Sequence, residues 1–215
     1  MVSDNTNLQI MELPEVKHPD FEGALQIYLH AFPASERQPT AVVKNRLKKQ
    51  LYQWLIGKLE NKVVCIALLY PLKNTDFVLL DYLGTDKAYR GRGIGGQFMG
   101  EILQNLANIN KYLLIEVEHP ASGENQTDRK RRVKFYQRLG AKILKNVPYQ
   151  LPPFSGNVSI EMLLMMLPEY PGGQLPGSLV KQLIQQIYGE VYDRDAGDAL
   201  LKSFIHQVPD SVELI

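Results

Sequence analysis

The segment YRGRGIGGQF, Tyr89–Phe98, places four glycines and two arginines directly before a stretch with helical periodicity. A glycine has no Cβ atom, so backbone N–H groups in such a segment can approach an anion closely. The beginning of a helix adds partial positive charge. The segment is therefore predicted to bind the phosphate groups of a ligand at the start of a helix.

The segment does not fit a P-loop, because Gln97 and Phe98 follow the glycines where that motif requires Lys and then Ser or Thr. A dinucleotide-binding fingerprint, G-x-G-x-x-G, does match Gly91 to Gly96. Glu116 lies twenty residues farther on, where a ribose-binding acid belongs. That fingerprint normally follows the first strand of its fold almost directly, whereas several strands and helices are predicted before it here. An oxidoreductase that binds NAD(P) remains an alternative at this point.

The sequence around the segment predicts alternating strands and helices. Alternating or short apolar runs predict strands, and apolar residues three and four positions apart predict helices. The predicted strands are residues 8–13, 51–60, 62–70, 76–85, 111–118, 141–149 and 159–167, and the predicted helices are residues 20–32, 41–51, 93–109 and 129–140. Thr40 is the predicted N-cap of the second helix. This order predicts an α/β or α+β domain with a mixed sheet.

The glycine segment and two later segments resemble the GNAT acetyltransferase superfamily. Arg90, Gly93 and Gly95 match the signature Arg/Gln-x-x-Gly-x-Gly/Ala, which in that family follows the fourth strand and opens a helix. KFYQRLGAK resembles the second family motif and LLIEVE the fifth strand. The resemblance covers roughly residues 8–167 in the order of elements. It implies a GNAT-like, mixed and mostly antiparallel twisted sheet flanked by helices, followed by a C-terminal helical extension.

By this resemblance, the chain is expected to transfer an acetyl group from acetyl-CoA, the co-substrate, to a primary amine, without a metal. A lysine-like amine titrates near ~10.4 and arrives protonated, so the reaction needs a base. Glu116 matches the glutamate base of the family and Tyr136 its general acid, with Glu118 and Asp81 as alternative bases. Glu116 and Glu118 share a strand face, and two adjacent carboxylates are expected to raise the pKa of one of them. The expected acetyl-CoA contacts are Leu83, Gly84, Thr85, Arg90, Gly91, Arg92, Gly93, Ile94, Gly95 and Gly96.

Composition restricts the class of partner. The 24 basic and 23 acidic residues give a formal net charge of +1, which argues against a nucleic-acid or membrane-surface binder. The partner that the resemblance implies is a small molecule or peptide that carries an amine. Cys65 is the single cysteine, is expected in the core and fits a reducing compartment. No apolar run approaches the ~20 residues of a membrane helix, and the first residues lack signal-peptide features, so a cytoplasmic location is expected.

The chain is predicted to divide after residue 167. Residues 1–167 form the predicted acetyl-CoA-dependent domain, and PEYPGGQLPGS, 168–178, is the predicted linker. Two helices, one from residue 179 and a shorter one over residues 196–206, complete the 168–215 extension. This extension is too short for a core of its own, so it is expected to pack on the domain or on a partner such as a second copy in a homodimer. A protein that binds acyl-CoA without catalysis remains a second alternative.

Overall fold

The computed structural model describes residues 8–123, 125–153 and 158–215, apart from the side chain of Ser35. Close contacts divide this chain into two compact units, and each unit is described by itself. Unit 1 runs from the first described residues to Pro71 and includes Leu80–Asn105. Unit 2 comprises Leu72–Leu79 and Leu106–Ile215.

Unit 1 contains a sheet with the strand order β1-β2-β3-β4, in which β1 pairs antiparallel with β2 and β2 antiparallel with β3. The elements are β1 Gln9–Leu13, α1 Phe21–Ala31, α2 Thr40–Lys48, β2 Gln53–Leu59, β3 Lys62–Pro71, β4 Phe77–Thr85 and α3 Ile94–Asn108. The first residues of β4 and the last of α3 belong to unit 2. These elements confirm the strands and helices predicted on both sides of the glycine segment.

The core of unit 1 explains the uninterrupted apolar run of β3. Every residue from Val63 to Tyr70 is buried, so both faces of this strand are covered. Neither face meets water, so apolar side chains can follow one another without alternating polar ones. Trp54 and Tyr28 are fully buried beside the sheet, and the Phe21 and Trp54 rings meet edge to face at 5.2 Å. Cys65 is fully buried, which confirms its predicted place in the core, and burial raises the pKa of its thiol to about 12.

Gly57 marks a close approach within this core. A Cβ atom at Gly57 would lie 2.4 Å from the Cys65 Sγ atom and 3.3 Å from the ring of Phe98 on α3. The pairing of β2 with β3 also changes register between Gly57 and Lys58. A side chain at residue 57 would therefore force β2 away from its neighbours.

The second helix begins differently from the prediction. Thr40 is the first residue of α2 rather than its N-cap, and Pro39 takes the N-cap position without a side-chain hydrogen bond. The carbonyl of Pro39 accepts the first helical hydrogen bond, from the N–H of Val42, at 2.9 Å. The ring of proline fixes φ near the helical value, so Pro39 can start the helix without a polar cap.

Unit 2 contains the strand order β5-β8-β6, with β7 also paired to β8 and a separate two-stranded sheet of β9 and β10. All these pairs are antiparallel. The elements are β5 Tyr112–Glu118, α4 Gln126–Arg138, β6 Lys142–Ile143, β7 Tyr149–Leu151, β8 Ile160–Leu167, β9 Gln174–Pro176, α5 Gly177–Gln186, a π-helical turn Ile187–Val191, α6 Ala199–Phe204 and β10 Ser211–Glu213. As predicted, α4 is followed by Gly140, which has a φ of 95°.

The strand predicted over residues 141–149 is wrong as a single strand. It forms β6 and β7, which pair with different parts of β8. Asn146 between them has a φ of 59°, a left-handed conformation that no strand continues through. Pro148 follows and lacks the N–H group that a strand pair requires.

The segment predicted as a linker is partly a strand. Gln174–Pro176 forms β9, and Leu175 within it is 1% exposed. Beyond it, α5 and the π-helical turn carry the predicted apolar stripe, whereas the last predicted helix is limited to α6 and a 3₁₀ turn. The final residue, Ile215, exchanges two backbone hydrogen bonds with Ile143 of β6, at 2.8 and 3.1 Å. The extension thus packs within unit 2, and the predicted domain boundary after residue 167 stays a prediction.

The two units together combine a mostly antiparallel arrangement of strands with six α-helices, which confirms the predicted mixed α/β class. In the part of the chain that the structure describes, no helix is both long and apolar enough to cross a membrane.

Candidate functional site

The glycine segment of unit 1 forms an open turn before α3. Gly91 and Gly93 have φ values of 77° and 78°, which a residue with a side chain rarely adopts. Apart from the adjoining residues and the nearby backbone of α3, no described atom lies within 4 Å of the position that a Cβ atom would take at Gly91, Gly93 or Gly96. The Gln97 N–H donates to the Gly93 carbonyl at 3.0 Å, so the N–H groups of the preceding residues lie in the first turn of the helix, where no intrahelical acceptor exists. This geometry fits the phosphates of a ligand such as acetyl-CoA.

The side chain of Arg90 turns back from the glycine turn. Its Nε donates to the carbonyl of Thr85 at 3.0 Å. Its side chain lines a cavity of about 470 Å³, together with two lysines, Lys62 and Lys87. The remaining residues around this cavity are Gly23, Gln26, Ile27, His30, Ala31, Val63, Thr85 and Asp86. The guanidinium of Arg92 instead lies 5.4 Å from the centre of the Tyr89 ring.

The end of β4 leads into this turn. A Cβ atom at Gly84 would lie 3.2 Å from that of Ala31, so the glycine lets α1 pack closely on the strand. Leu83 and Thr85, on either side, are half-buried, and Ile94 at the start of α3 is buried. Gly95 follows in the first turn of α3. All ten residues expected to contact acetyl-CoA thus lie on one continuous stretch of unit 1, from β4 to the first turn of α3.

Asp81 of β4 is at one end of a hydrogen-bonded chain of three side chains, which also includes Tyr52 and Arg46. The Tyr52 hydroxyl donates to the Asp81 carboxylate, and Nη1 of Arg46 on α2 donates to the Tyr52 hydroxyl oxygen at 2.8 Å. Tyr52 and Arg46 are buried, whereas Asp81 is partly exposed. Burial raises the pKa of Asp81 from its ordinary 3.8 to about 6, against the lowering effect of the Tyr52 hydrogen bond and the Arg46 charge. Asp81 therefore titrates close to neutral pH.

Sequence reasoning named Asp81 as an alternative base but missed its two partners. Arg46 lies in the helix predicted over residues 41–51, and Tyr52 lies in the strand predicted over residues 51–60. No motif joins them, because they come from α2, the residue before β2, and β4. A signal did exist: an arginine on the same face of α2 as Val43 and Leu47 must find partners when that face is buried.

In unit 2, Glu118 of β5 forms ion pairs with two arginines of α4. Its carboxylate oxygens lie 2.8 Å from the Arg129 Nη2 atom and 2.7 Å from the Arg132 Nη1 atom. These arginines belong to the basic run that opens α4. Part of that run therefore neutralises a carboxylate of its own unit.

Glu116 of β5 accepts hydrogen bonds from two tyrosine hydroxyls. Tyr149 of β7 donates to Oε1, and Tyr192 donates to Oε2 at 2.6 Å. Tyr192 directly follows the π-helical turn, in the segment expected to be an extension without a predicted role. Each of the two carboxylates has its own donors, and the expected effect of their adjacency on the pKa of one of them stays a prediction.

Tyr136 lies on the inward face of α4 and is 6% exposed. Burial raises the pKa of its hydroxyl to about 12, although the charge of Arg132 acts in the opposite direction. The ring of Phe135 lies edge to face with it at 5.1 Å. Tyr136 therefore keeps its proton at neutral pH and can act as a hydrogen-bond donor.

The described residues include no group of three or more His, Cys, Asp or Glu side chains that could hold a metal ion.

Comparison with known proteins agrees with this geometry. A family model described as the acetyltransferase (GNAT) domain matches residues 50–140, which include the glycine turn, Asp81, Glu116 and Tyr136. YjbC of Bacillus subtilis (strain 168), provisionally named as an acetyltransferase, is 31% identical over 127 residues. That alignment covers 55% of this chain and 63% of the relative, so the chain spans less than two thirds of the relative's length. A second relative, from Dictyostelium discoideum, is 28% identical over 109 residues, 48% of this chain and 25% of that protein.

Solved structures share the fold at low sequence identity. A protein from Bacteroides thetaiotaomicron, provisionally assigned to the GNAT acetyltransferases, superposes with a TM-score of 0.72 at 17% identity, over 86% of this chain and 98% of its own. A GNAT acetyltransferase of Elizabethkingia anophelis, solved with acetyl-CoA bound, gives 0.52 at 18% identity, over 74% and 97%. The ribosomal-protein-S18-alanine N-acetyltransferase of Escherichia coli gives 0.52 at 21% identity, over 75% and 93%. These likenesses confirm the predicted GNAT-like fold.

Proposed function

Because a GNAT acetyltransferase domain model matches residues 50–140 and the fold is GNAT-like, we propose that the chain is an acetyl-CoA-dependent N-acetyltransferase that acts on a primary amine. The observation that carries the proposal is the glycine turn, which stands open before α3 within the segment that the family model matches. The antiparallel pairing of β2 with β3 also differs from the parallel sheet that the alternative, an NAD(P)-binding oxidoreductase, would need. The acceptor is a small molecule or a peptide amine, as the chain's near-neutral charge suggests.

The glycine turn would hold the diphosphate of acetyl-CoA through backbone N–H groups of residues 91–96. Their N–H groups need no reorganisation to meet an anion, because Gly91 and Gly93 already have the required positive φ. The N–H groups of Leu83–Thr85 would bind the extended arm of the same molecule. When bound, acetyl-CoA supplies a thioester: the amine nitrogen forms a bond to the acetyl carbon, the carbon–sulfur bond breaks, and the sulfur leaves with the electron pair.

The amine proton must go to a carboxylate, and two observations favour Asp81 over Glu116 as the acceptor. The raised pKa of Asp81, about 6, suits a base that works near neutral pH. Glu116 already accepts hydrogen bonds from two tyrosine hydroxyls, and hydrogen bonds to a carboxylate weaken it as a base. Asp81 also lies four residues before Thr85, the last residue of β4, which is about 13 Å along the strand. Glu116 remains the rival base.

Tyr136 is the group that would donate to the departing sulfur. Its hydroxyl keeps its proton because of burial. Thiols ordinarily titrate near ~8.5, well below the Tyr136 pKa of about 12, so a complete proton transfer would be uphill. We therefore assign Tyr136 the role of stabilising the departing thiolate by a hydrogen bond while it keeps its own proton, and the released thiolate takes its proton from water.

Thermal unfolding with acetyl-CoA, CoA, NADH and NADPH tests the proposal first. A ligand at a hundredfold its dissociation constant adds ~2.7 kcal/mol of stability, which gives an easily measured rise in Tm. We expect a rise with acetyl-CoA and CoA and none with the nicotinamides. A rise with NADH or NADPH alone would contradict the proposal.

The matched pair Gly93→Ala and Gly172→Ala then locates the ligand. Gly172 has a φ of 79° and equal free space, but it lies in unit 2 and outside the glycine turn. Both substitutions cost about 1–2 kcal/mol of strain, and only Gly93→Ala should weaken acetyl-CoA binding. A screen of amines, read by release of free thiol, tests catalysis itself. Binding without thiol release for any amine would favour the non-catalytic acyl-CoA protein.

A further inference from the structure

We propose that Tyr52 and Arg46 are positioning residues for Asp81, which hold its carboxylate in one orientation and in the form that can accept the amine proton. The inference rests on the proposed function, in which Asp81 is the base. It concerns two side chains for which neither the family match nor the sequence motifs give a role.

The chemistry of the three groups allows only one direction of hydrogen bonding. A guanidinium has donors and no acceptor, so the Tyr52 oxygen must accept from Arg46. The hydroxyl proton of Tyr52 is then left for Asp81, whose carboxylate accepts it. Arg46 thus determines where the Tyr52 proton points, and Tyr52 determines which carboxylate oxygen of Asp81 is already occupied.

Arg46 is held rigidly enough for this task. Its guanidinium lies 5.4 Å from the centre of the Tyr52 ring and 5.7 Å from that of Tyr70. The two rings meet edge to face, 5.6 Å apart. A buried cation between two ring faces gains cation–π attraction and has little room to change rotamer. Arg46 is 8% exposed, so water does not screen its charge strongly.

Tyr52 can link Arg46 to Asp81 because its hydroxyl does not ionise. Burial and the charge of Asp81 keep the pKa of its hydroxyl well above the ordinary range, so it stays a donor at every pH of interest. Two further tyrosines interact with the charge of Asp81, Tyr28 of α1 and Tyr82 of β4, and burial also raises the pKa of each. Of these groups, only Arg46 carries a charge near neutral pH.

The chain of hydrogen bonds has a consequence for the base. Tyr52 and Arg46 both favour the ionised carboxylate, against the burial that disfavours it. The two effects together leave the carboxylate ionised at neutral pH yet still able to take a proton from an amine. Loss of either partner would weaken the opposition to burial, so Asp81 would stay protonated up to a higher pH, and the protonated carboxyl cannot act as a base.

The test follows the Asp81 carboxyl carbon by ¹³C NMR through a pH titration of the ligand-free protein, with Asp81→Asn to assign the signal. Tyr52→Phe removes the hydroxyl and little else. Its matched control is Tyr28→Phe, which removes another buried hydroxyl, donated at 2.8 Å to the Gln38 carbonyl. We expect the Asp81 midpoint to rise by about one pH unit or more in Tyr52→Phe and to stay unchanged in Tyr28→Phe. Arg46→Lys should shift it in the same direction if Tyr52→Phe fails to fold.

The same variants are then compared in the pH dependence of kcat/KM. The acidic limb should move to higher pH with the NMR midpoint, and activity should recover at alkaline pH. An unchanged midpoint in Tyr52→Phe, or an equal rise in Tyr28→Phe, overturns the positioning role whatever the activity. A shifted NMR midpoint with an unshifted acidic limb of kcat/KM means that Asp81 is not the base. That result overturns this part of the proposed function, and with it the catalytic role of the hydrogen bonds from Arg46 to Tyr52 and from Tyr52 to Asp81.

Discussion

Replacement of Asp81 by Asn removes a carboxylate that, when ionised, lowers the free energy of unfolding of the protein. Burial raises the pKa of Asp81 to about 6 in the folded protein, from an ordinary value of 3.8 in the unfolded chain. A carboxyl with a raised pKa contributes its full stability below the unfolded value and loses it as the pH rises through the folded value. The wild-type protein should therefore lose stability, relative to Asp81→Asn, as the pH rises from about 4 to about 7.

The size of this loss follows from the two pKa values. One pKa unit corresponds to about 1.36 kcal/mol, so the ionised carboxylate costs about 3 kcal/mol of unfolding free energy in total. About 2 kcal/mol of this cost develops between about pH 4.5 and about pH 7.5, where both proteins are expected to remain folded. The asparagine keeps an oxygen that can accept from Tyr52, so the hydrogen bond is preserved in the variant.

Urea denaturation of both proteins at a series of pH values measures this difference directly. Any constant offset from the new amide group cancels, since only the change of the difference with pH is compared. We expect the advantage of Asp81→Asn to grow by about 2 kcal/mol over the interval and then to level off. A difference that stays constant within about 0.5 kcal/mol, or that falls with rising pH, would refute the argument that burial dominates the electrostatics of Asp81.

Three further substitutions test other parts of the two units. Gly57→Ala should lower the unfolding free energy by about 1–3 kcal/mol, because its Cβ atom would meet the Cys65 Sγ atom; Gly57→Ala combined with Cys65→Ala should recover part of this loss in urea denaturation. Tyr136→Phe should lower kcat by about 10²-fold or more with little change in acetyl-CoA affinity, and an unchanged kcat would remove Tyr136 from the mechanism. Tyr192→Phe should cost about 1–3 kcal/mol of stability by removing a donor from Glu116, and a neutral effect in the same assay would show that this contact does not hold the C-terminal segment.

Much of the fold was predictable because its signals are local. The glycine turn needs residues without a Cβ atom at adjacent positions, and α3 and β3 show their apolar patterns within single segments. The strand over 141–149 was mispredicted because its break depends on one left-handed residue, Asn146, which composition does not distinguish from an ordinary strand residue. The segment before α5 was mispredicted as a linker because β9 is stabilised by a partner, β10, more than thirty residues later.

The candidate site divides in the same way. The sequence by itself determined the glycine turn, the family resemblance and the residue types, since each of these depends on neighbours along the chain. Only the tertiary structure decided how the carboxylates differ. Asp81 receives Tyr52 and Arg46 from other elements, Glu118 receives two arginines from α4, and Glu116 receives a tyrosine from the C-terminal segment. The basicity of a carboxylate depends on its burial and on the donors that reach it in space, and the order of residues along the chain does not contain that information.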